Sequence, residues 1–177
     1  FFVYNAKIPI RNENYNWEKV LPGNTSETLW SKYLPFDELP QVLNPKSGFI
    51  QNCNNTPFNT TIGKDNPNKD EYSNTFGIES HMTNRALRSL ETFGSDNKIS
   101  YDEFKAYKYD LKYSTSSNIK MLINRAINLL NKENFPEVST LIIKEAKKIL
   151  TDWNLSTDRN NINAAFPIIA FSKYIDV

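Results

Sequence analysis

The sequence predicts a mainly α (α+β) fold, in which a small helical bundle carries a long, irregular amino-terminal arm with short β-strands. Two observations lead to this prediction. Up to about residue 78, prolines and glycines recur so often that no helical period of apolar residues survives. Beyond that point glycine becomes rare, and apolar residues return at the spacings of three and four that mark one face of a helix. We therefore divide the chain into a Pro-rich arm, residues 1–78, and a helical subdomain, residues 79–177.

Two short strands are predicted in the arm, at Phe1–Ile8 and Gly48–Asn54. The first begins in the middle of an apolar, aromatic run, so we expect its pairing partner to lie outside this chain. In the second, Ile50, Asn52 and Asn54 alternate with residues of the opposite face, so the strand would end in a group of carboxamides. The arm also carries too many bulky apolar side chains for a flexible linker, and we expect it to be packed.

Five helices are predicted in the second part, at His81–Phe93, after Ser100, at Ser117–Asn131, after Pro136 and at Arg159–Tyr174. Ser100 and Glu103 fit a capping box, in which each side chain bonds the other residue's backbone amide. Pro136 suits a first helical position, where its missing N–H does no harm. The last helix is almost wholly apolar and is expected to be buried.

Composition excludes several classes of function. The 177 residues include 21 Lys and Arg against 20 Asp and Glu, so a net charge of +1 gives no electrostatic basis for binding nucleic acid. One Cys and one His cannot form a disulfide or a zinc site of the usual nitrogen and sulfur ligands. No apolar run approaches the roughly 20 residues that cross a bilayer. His81 and Cys53 also lack the sequence context of a catalytic pair.

The most informative segment lies between Leu39 and Pro57, where asparagines cluster. A carboxamide at the end of a strand is an uncharged hydrogen-bond donor that can be held rigidly, as stabilisation of an oxyanion requires. The other interpretation is an Asn-rich loop without a catalytic role. Chemistry alone favours the loop, and both interpretations stay open at this point.

The segment resembles a known family in the run Asn44-Pro45-x-x-Gly48-Phe49-Ile50-x-Asn52-x-Asn54-Asn55-x-Pro57. This run is similar to the β-chain of the penicillin acylases, amidohydrolases of the N-terminal-nucleophile superfamily. Further similar motifs along the chain are Ile8-Pro9-x-Arg11, Leu21-Pro22-Gly23, Asn84-Arg85-Ala86-Leu87-Arg88, Lys98-Ile99-Ser100, Tyr109-Asp110 and Leu150-Thr151-Asp152-Trp153-Asn154. The resemblance implies that the chain is part of a larger N-terminal-nucleophile hydrolase fold. It also implies that the full protein is an amidase that hydrolyses a linear N-acyl amide bond.

The resemblance also implies roles for three asparagines. Asn54 takes the place of the family's oxyanion-hole carboxamide, and Asn52 and Asn55 are its hydrogen-bonding neighbours. The family's nucleophile is a Ser that begins the mature β-chain, and Phe1 is not that Ser. We therefore expect an interior piece of a β-chain that supplies the oxyanion-hole Asn but not the nucleophile, and that is inactive alone.

The family resemblance also implies roles for two arginines and one aspartate. The family's arginine near the acyl group falls on Arg85 or Arg88, with the spacing favouring Arg85. Asp65 lies where one carboxylate of a structural calcium site is found, and no catalytic cofactor is implied. The family's Trp-Asp pair is Trp153-Asn154 here, which puts the role of that carboxylate in doubt.

The implied partners are the remainder of the acylase, namely its α-chain and the rest of its β-chain, and a small N-acylated substrate. A periplasmic or secreted location is implied in the same way, whereas the acyl group and the amine are not. Two alternatives to the amidase hypothesis remain. One is a non-catalytic helical interaction module whose arm grips a partner, and the other is an acylase-like protein that has lost activity.

Overall fold

The computed structural model describes residues 1–4 and 7–174. Residues 5, 6 and 175–177, which include part of the predicted first strand and the end of the helical subdomain, lie outside the described part. Two compact units are present, Phe1–Met82 and Thr83–Val177. The described residues form a mainly helical fold, as the sequence predicts, together with a small two-stranded sheet, in elements β1 (Phe2–Val3), β2 (Gln41–Val42), α1 (Asn84–Thr92), α2 (Tyr101–Lys108), α3 (Asn118–Leu129), α4 (Thr140–Asp152) and α5 (Ala165–Phe171).

The sheet of the first unit is shorter than predicted and is paired differently. β1 pairs antiparallel with β2, and Phe2 lies opposite Val42. The partner of the first strand is therefore within this chain, and the expectation of a partner outside it was wrong. Next to the two strands, the amide of Tyr4 donates to the carbonyl of Pro40 at 2.9 Å, and further along an isolated bridge joins Pro9 to Tyr33. Proline lacks a backbone N–H, so Pro9 and Pro40 can only accept hydrogen bonds in this pairing, and each removes one possible bond from the ladder.

The second predicted strand, Gly48–Asn54, is not formed. Gly48 and Asn54 have positive φ angles of 67° and 56°, which interrupt the pleat at both ends of the segment. The segment makes one strand-like contact, where the Gln51 amide donates to the carbonyl of Thr60 at 2.8 Å. The alternation of side chains therefore belongs to a loop, and Asn54 does not lie at a strand end.

Arg11 holds together distant parts of the first unit. Its guanidinium carbon lies 5.3 Å from the ring centroids of both Trp17 and Trp30. One guanidinium nitrogen, Nη1, donates to the carbonyl of Thr75 at 3.0 Å. The backbone of Gly77 passes so close that a Cβ added there would lie 2.4 Å from Nη1. We call Arg11, Trp17, Trp30 and Gly77 the arginine clasp.

The helices of the second unit follow their caps. The Ser100 capping box is confirmed, since the Glu103 amide donates to the Ser100 hydroxyl and the Glu103 carboxylate accepts from the Ser100 amide. α4 begins at Thr140, where the Ser139 side chain accepts from the amide of Ile142. Pro136 lies in the preceding turn, so the prediction that it occupies a first helical position was wrong.

α5 is shorter and more exposed than predicted. A turn at Asp158–Asn161, closed by a bond from the Asn161 amide to the Asp158 carbonyl, occupies the start of the segment expected to be helical from Arg159. Ile169 of α5 is 74% exposed, which contradicts the expectation of a buried helix. α1 likewise begins slightly later than the predicted start at His81, because Thr83 provides its amino-terminal cap and Asn84 is its first residue.

The core of the second unit lies between α3, α4 and the loop that follows them. Its buried members are Ile119, Ile123, Leu150, Trp153, Leu155 and Ala164. The indole N–H of Trp153 donates to the carbonyl of Ser156 at 2.8 Å, so this large side chain is buried with its polar atom satisfied. Within residues 1–4 and 7–174, no helix has the length and apolar character of a membrane-spanning segment.

The arginine clasp predicts unequal effects of two glycine substitutions. Gly77 and Gly48 have nearly the same φ, +66° and +67°, so alanine introduces the same backbone strain of about 1–2 kcal/mol at either. Only at Gly77 does the new methyl group also collide with Arg11. We expect Gly77→Ala to lower the free energy of unfolding by about 1 kcal/mol more than Gly48→Ala, through loss of the cation–π contacts. Urea unfolding of both variants measures the difference, and equal losses would show that the clasp adds no stability.

Candidate active-site loop

The Asn52–Asn55 segment forms a tight turn that its own side chains hold. The carboxamide oxygen of Asn52 accepts the amide of Asn54 at 3.1 Å. The carboxamide oxygen of Asn55 accepts the amide of Cys53 at 3.0 Å. Asn54 adopts a φ of 56°, a left-handed conformation that asparagine tolerates better than most residues. Two consecutive backbone amides are therefore satisfied by side chains rather than by a sheet.

One end of the turn is anchored in the interior of the first unit. Asn55 is 5% exposed, and its side-chain nitrogen donates to the carbonyl of Thr56 at 2.8 Å and contacts the sulfur of Met82 at 3.6 Å. The amide of Thr56 donates to the carbonyl of His81 at 3.0 Å. The turn is thus tied to the segment that ends the unit.

The other end is closed by Gln51. Its backbone amide donates to the carbonyl of Thr60, and its side-chain nitrogen donates to the carbonyl of Asn59, both at 2.8 Å. Gln51 is 6% exposed, so this closure is shielded from water. Sequence reasoning did not single out Gln51, because its partners are backbone carbonyls that no residue type reveals.

The three asparagines predicted at the site have different environments. The side-chain oxygens of Asn52 and Asn55 are engaged by the backbone of the turn, and Asn55 is buried. Asn54 is exposed at the apex. The turn can therefore present the side chain of Asn54 at the surface on a backbone that is fixed from both sides. The assignment of Asn54 to an oxyanion remains a prediction.

The two candidate arginines lie on α1 and are not equivalent. The Arg88 Nε donates to the Asp110 carboxylate at 2.8 Å, and its Nη1 donates to the Glu91 carboxylate at 2.6 Å. The hydrogen bond to Asp110 raises the pKa of Arg88, and burial acts against it. Arg85, three residues earlier, is exposed. Arg88 is thus held inside the second unit, whereas Arg85 faces solvent.

Glu91 is the centre of this polar network and was missed in the sequence. Its second oxygen accepts from the Ser114 hydroxyl at 2.7 Å and from the amide and hydroxyl of Thr115 at 3.0 and 2.7 Å. Burial, the largest single influence, raises the pKa of Glu91, but the bonds from Ser114, Thr115 and Arg88 outweigh it together and lower the pKa. The i,i+3 spacing of Arg88 and Glu91 was the available signal.

Glu79 and His81 form an ion pair near the surface of the first unit. The Glu79 carboxylate lies 2.5 Å from Nδ1 of His81, whose side chain is 61% exposed. The backbone amide of His81 lowers the pKa of Glu79, with a smaller contribution from the imidazole. Glu79 lines a cavity of about 480 Å³ together with Phe58 and Tyr72, and Asn54 is not part of that lining.

Asp65 lies in a loop beside the Asn44–Gly48 turn. One of its carboxylate oxygens accepts the amide of Lys46 at 2.6 Å. Among the residues that the structure describes, no group of three or more His, Cys, Asp or Glu side chains is arranged to hold a metal ion. The role of Asp65 as a calcium ligand therefore stays a prediction.

Asn154, which stands in place of an expected Asp, closes the loop after α4. Its side-chain oxygen accepts the amide of Ser156 at 3.0 Å and the side-chain nitrogen of Asn161 at 2.9 Å. Both bonds require only an acceptor oxygen, which Asn and Asp share. Asn154 can therefore hold the loop with the same two hydrogen bonds that an Asp would accept, but without the negative charge of an Asp.

Comparison with known proteins identifies the family. The profile of the family described as penicillin amidase matches residues 1–173, almost the whole chain. The chain therefore belongs to the penicillin amidase family, and the resemblance drawn from the asparagine run is confirmed. It is 33% identical to penicillin G acylase of Escherichia coli over 82 residues, which are 46% of this chain. The matched segment covers 9% of the length of that relative.

The Glu91 network predicts a stability that depends on pH. The folded pKa of Glu91 lies below its ordinary value of 4.5, so its contribution is present above about pH 4.5 and is lost as the pH falls through the folded pKa. We expect Glu91→Gln to lower the free energy of unfolding by about 1–3 kcal/mol at pH 7, since it weakens bonds to a charged group. The difference from wild type should shrink at pH 3.

The matched control for this prediction is Glu145→Gln, which removes an exposed carboxylate on α4. It should leave the melting temperature almost unchanged at both pH values, because exposed charges contribute little. Thermal unfolding of the three proteins at pH 7 and pH 3 tests the network. A Glu91→Gln variant whose deficit stays the same at both pH values would contradict it.

Proposed function

We propose that this chain is an interior β-chain segment of an amidase of the N-terminal-nucleophile type, which hydrolyses a linear N-acyl amide to a carboxylic acid and an amine. Family membership supports the class of reaction. The observation that carries the proposal is the Asn52–Asn55 turn, where an exposed carboxamide stands on a backbone fixed at both ends. The proposed role of the chain is to supply one oxyanion donor.

The chemistry assigns the other steps to the remainder of the acylase. The hydroxyl oxygen of its amino-terminal Ser attacks the amide carbon, and the α-amino group of that Ser takes the proton directly or through a water. The carbonyl oxygen becomes an oxyanion, which accepts from one backbone amide and from the side-chain nitrogen of Asn54. The amine then leaves with a proton, and water releases the acid from the acyl-enzyme. Asn54 acts on charge that exists only during reaction.

The contacts explain why Asn54 is proposed rather than its neighbours. The Asn55 side chain is buried and bonded at both its oxygen and its nitrogen. The oxygen of Asn52 is engaged by the amide of Asn54 itself. These two side chains fix the turn, and the donor they fix belongs to the residue at its apex. A backbone fixed in this way reduces the reorganisation that the Asn54 donor needs when the oxyanion forms.

Arg85 is the proposed arginine at the acyl site. Arg88 is committed to Asp110 and Glu91, and withdrawing it would leave two partly buried carboxylates without their cation. Arg85 lies on the same helix and is exposed to solvent, where a substrate group can reach it. Arg88 is proposed to stabilise the helix that carries Arg85.

The remaining expectations concern parts of the protein beyond this chain. The proposed partners are the α-chain and the rest of the β-chain, and the substrate is a small N-acylated compound. Exposed apolar side chains of the first unit, including Val20, Leu29 and Leu43, suit contact with those parts. A structural calcium with Asp65 as one ligand, and a periplasmic or secreted location, belong to the same proposal.

The role of Asn54 predicts a loss of catalysis without a loss of folding. Asn54→Gly removes the donor and keeps the positive φ at no steric cost, so the turn should survive. In the complete acylase we expect kcat to fall roughly a hundred- to a thousand-fold, the usual effect of losing one oxyanion donor. KM should change much less, because the donor acts in the transition state.

Asn54→Ala is the less suitable variant, because its methyl group adds backbone strain at a φ of 56°. Asn54→Asp provides a second test, since it keeps the size of the side chain and replaces the donor with a negative charge. Both Gly and Asp variants should lose kcat and retain a melting temperature close to that of wild type. Full kcat in Asn54→Gly would show that Asn54 is a structural loop residue, the interpretation that composition alone favours.

A further inference from the structure

We propose that Gln51 is a positioning residue, which holds the Asn52–Asn55 turn in the orientation that brings Asn54 to the oxyanion. This inference rests on the proposed function of Asn54 and adds a residue that acts through it. Gln51 belongs to the x position of the asparagine run, where the family resemblance assigns nothing.

The first observation is a double closure from one residue. The backbone amide of Gln51 bonds the carbonyl of Thr60, and its side-chain nitrogen bonds the carbonyl of Asn59, each at 2.8 Å. Two bonds from one residue to consecutive carbonyls fix both the separation and the tilt of the two chain segments. The main-chain bond alone would fix mainly the separation.

The second observation is that the orientation of this side chain is determined. The Asn59 carbonyl can only accept, so the Gln51 nitrogen must face it and the Gln51 oxygen must point the other way. Gln51 is 6% exposed, and no described residue donates to that oxygen. A buried acceptor without a protein donor lowers stability. An apolar side chain of similar length would avoid the buried oxygen but would lose the bond to Asn59, so its net effect on stability should be small.

The third observation is the place of Gln51 relative to Asn54. The turn is internally rigid through Asn52 and Asn55, so its remaining freedom is to tilt as a body. On its far side it is anchored by the bond between Thr56 and His81. Gln51 is the corresponding anchor on the near side, three residues before Asn54. Loss of its side-chain bond would let the apex shift while the fold is kept.

The test is Gln51→Met in the complete acylase, because methionine keeps the length of the side chain and removes both polar atoms. We expect kcat to fall roughly ten- to a hundred-fold, the scale of loss from an error of about 1 Å in a catalytic group. KM should change little, and the melting temperature should be unchanged or higher. A residue with a merely structural role would not lower kcat while leaving stability intact.

A matched control and a double-mutant cycle sharpen the test. Gln41, the other glutamine of the chain, also donates its side-chain nitrogen to backbone carbonyls, those of Phe36 and Asp37, so Gln41→Met should leave kcat unchanged. If Gln51 acts through Asn54, Gln51→Met should have no further effect on kcat in the Asn54→Gly background.

Each outcome supports or overturns the inference. A normal kcat in Gln51→Met, with Asn54→Gly impaired, overturns the inference and leaves the proposed function in place. A full kcat in Asn54→Gly overturns the proposed function itself. The same loss from Gln51→Met in both backgrounds shows that Gln51 acts on something other than Asn54. If Gln51→Met and Gln51→Leu both melt at lower temperature and keep kcat per folded molecule, Gln51 is a stability residue and the inference is wrong.

Discussion

Hydrogen bonds between short polar side chains and the backbone hold the loops of the first unit in place, and the candidate site depends on them. The described residues of this unit form a sheet of two short strands, so most of their backbone amides need partners that regular structure does not provide. Asparagine oxygens accept amides two residues further on at Asn12, Asn52 and Asn68. The same local bond therefore recurs from one loop to the next. The catalytic proposal uses one instance of it, at the turn that carries Asn54.

Local signals in the sequence were sufficient where the determining interaction is local. The Ser100 capping box joins residues three apart, and it is present as predicted. Gly48–Asn54 was predicted wrongly because a period of two is typical of a strand, yet positive φ at Gly48 and Asn54 turns the same residues into a loop. α5 was predicted to be buried because it is apolar, but burial depends on what covers a helix, and hydrophobicity alone does not reveal that.

The candidate site was predictable as a motif but not as a geometry. The asparagine run identified the segment, and the family match confirmed the resemblance. The closure by Gln51 was not predictable, because Asn59 and Thr60 contribute only carbonyl groups that every residue has. The spacing favoured Arg85 over Arg88, but both lie on one helix, and the pattern could not show that Arg88 is held in a network. Their difference arises from Asp110, 22 residues beyond Arg88, whose contact only the fold creates.

The use of carboxamides has a consequence for how the two units respond to pH. Asn52, Asn54 and Asn55 do not titrate, so their mutual bonds keep the same strength as the solution becomes acidic. The network around Arg88 depends instead on a carboxylate, Glu91, and weakens when that group is protonated. If Asn54 is the oxyanion donor, the donor keeps its strength over the pH range of catalysis. Under the proposed function, the pH dependence of kcat would then arise from the proposed nucleophile and base outside this chain.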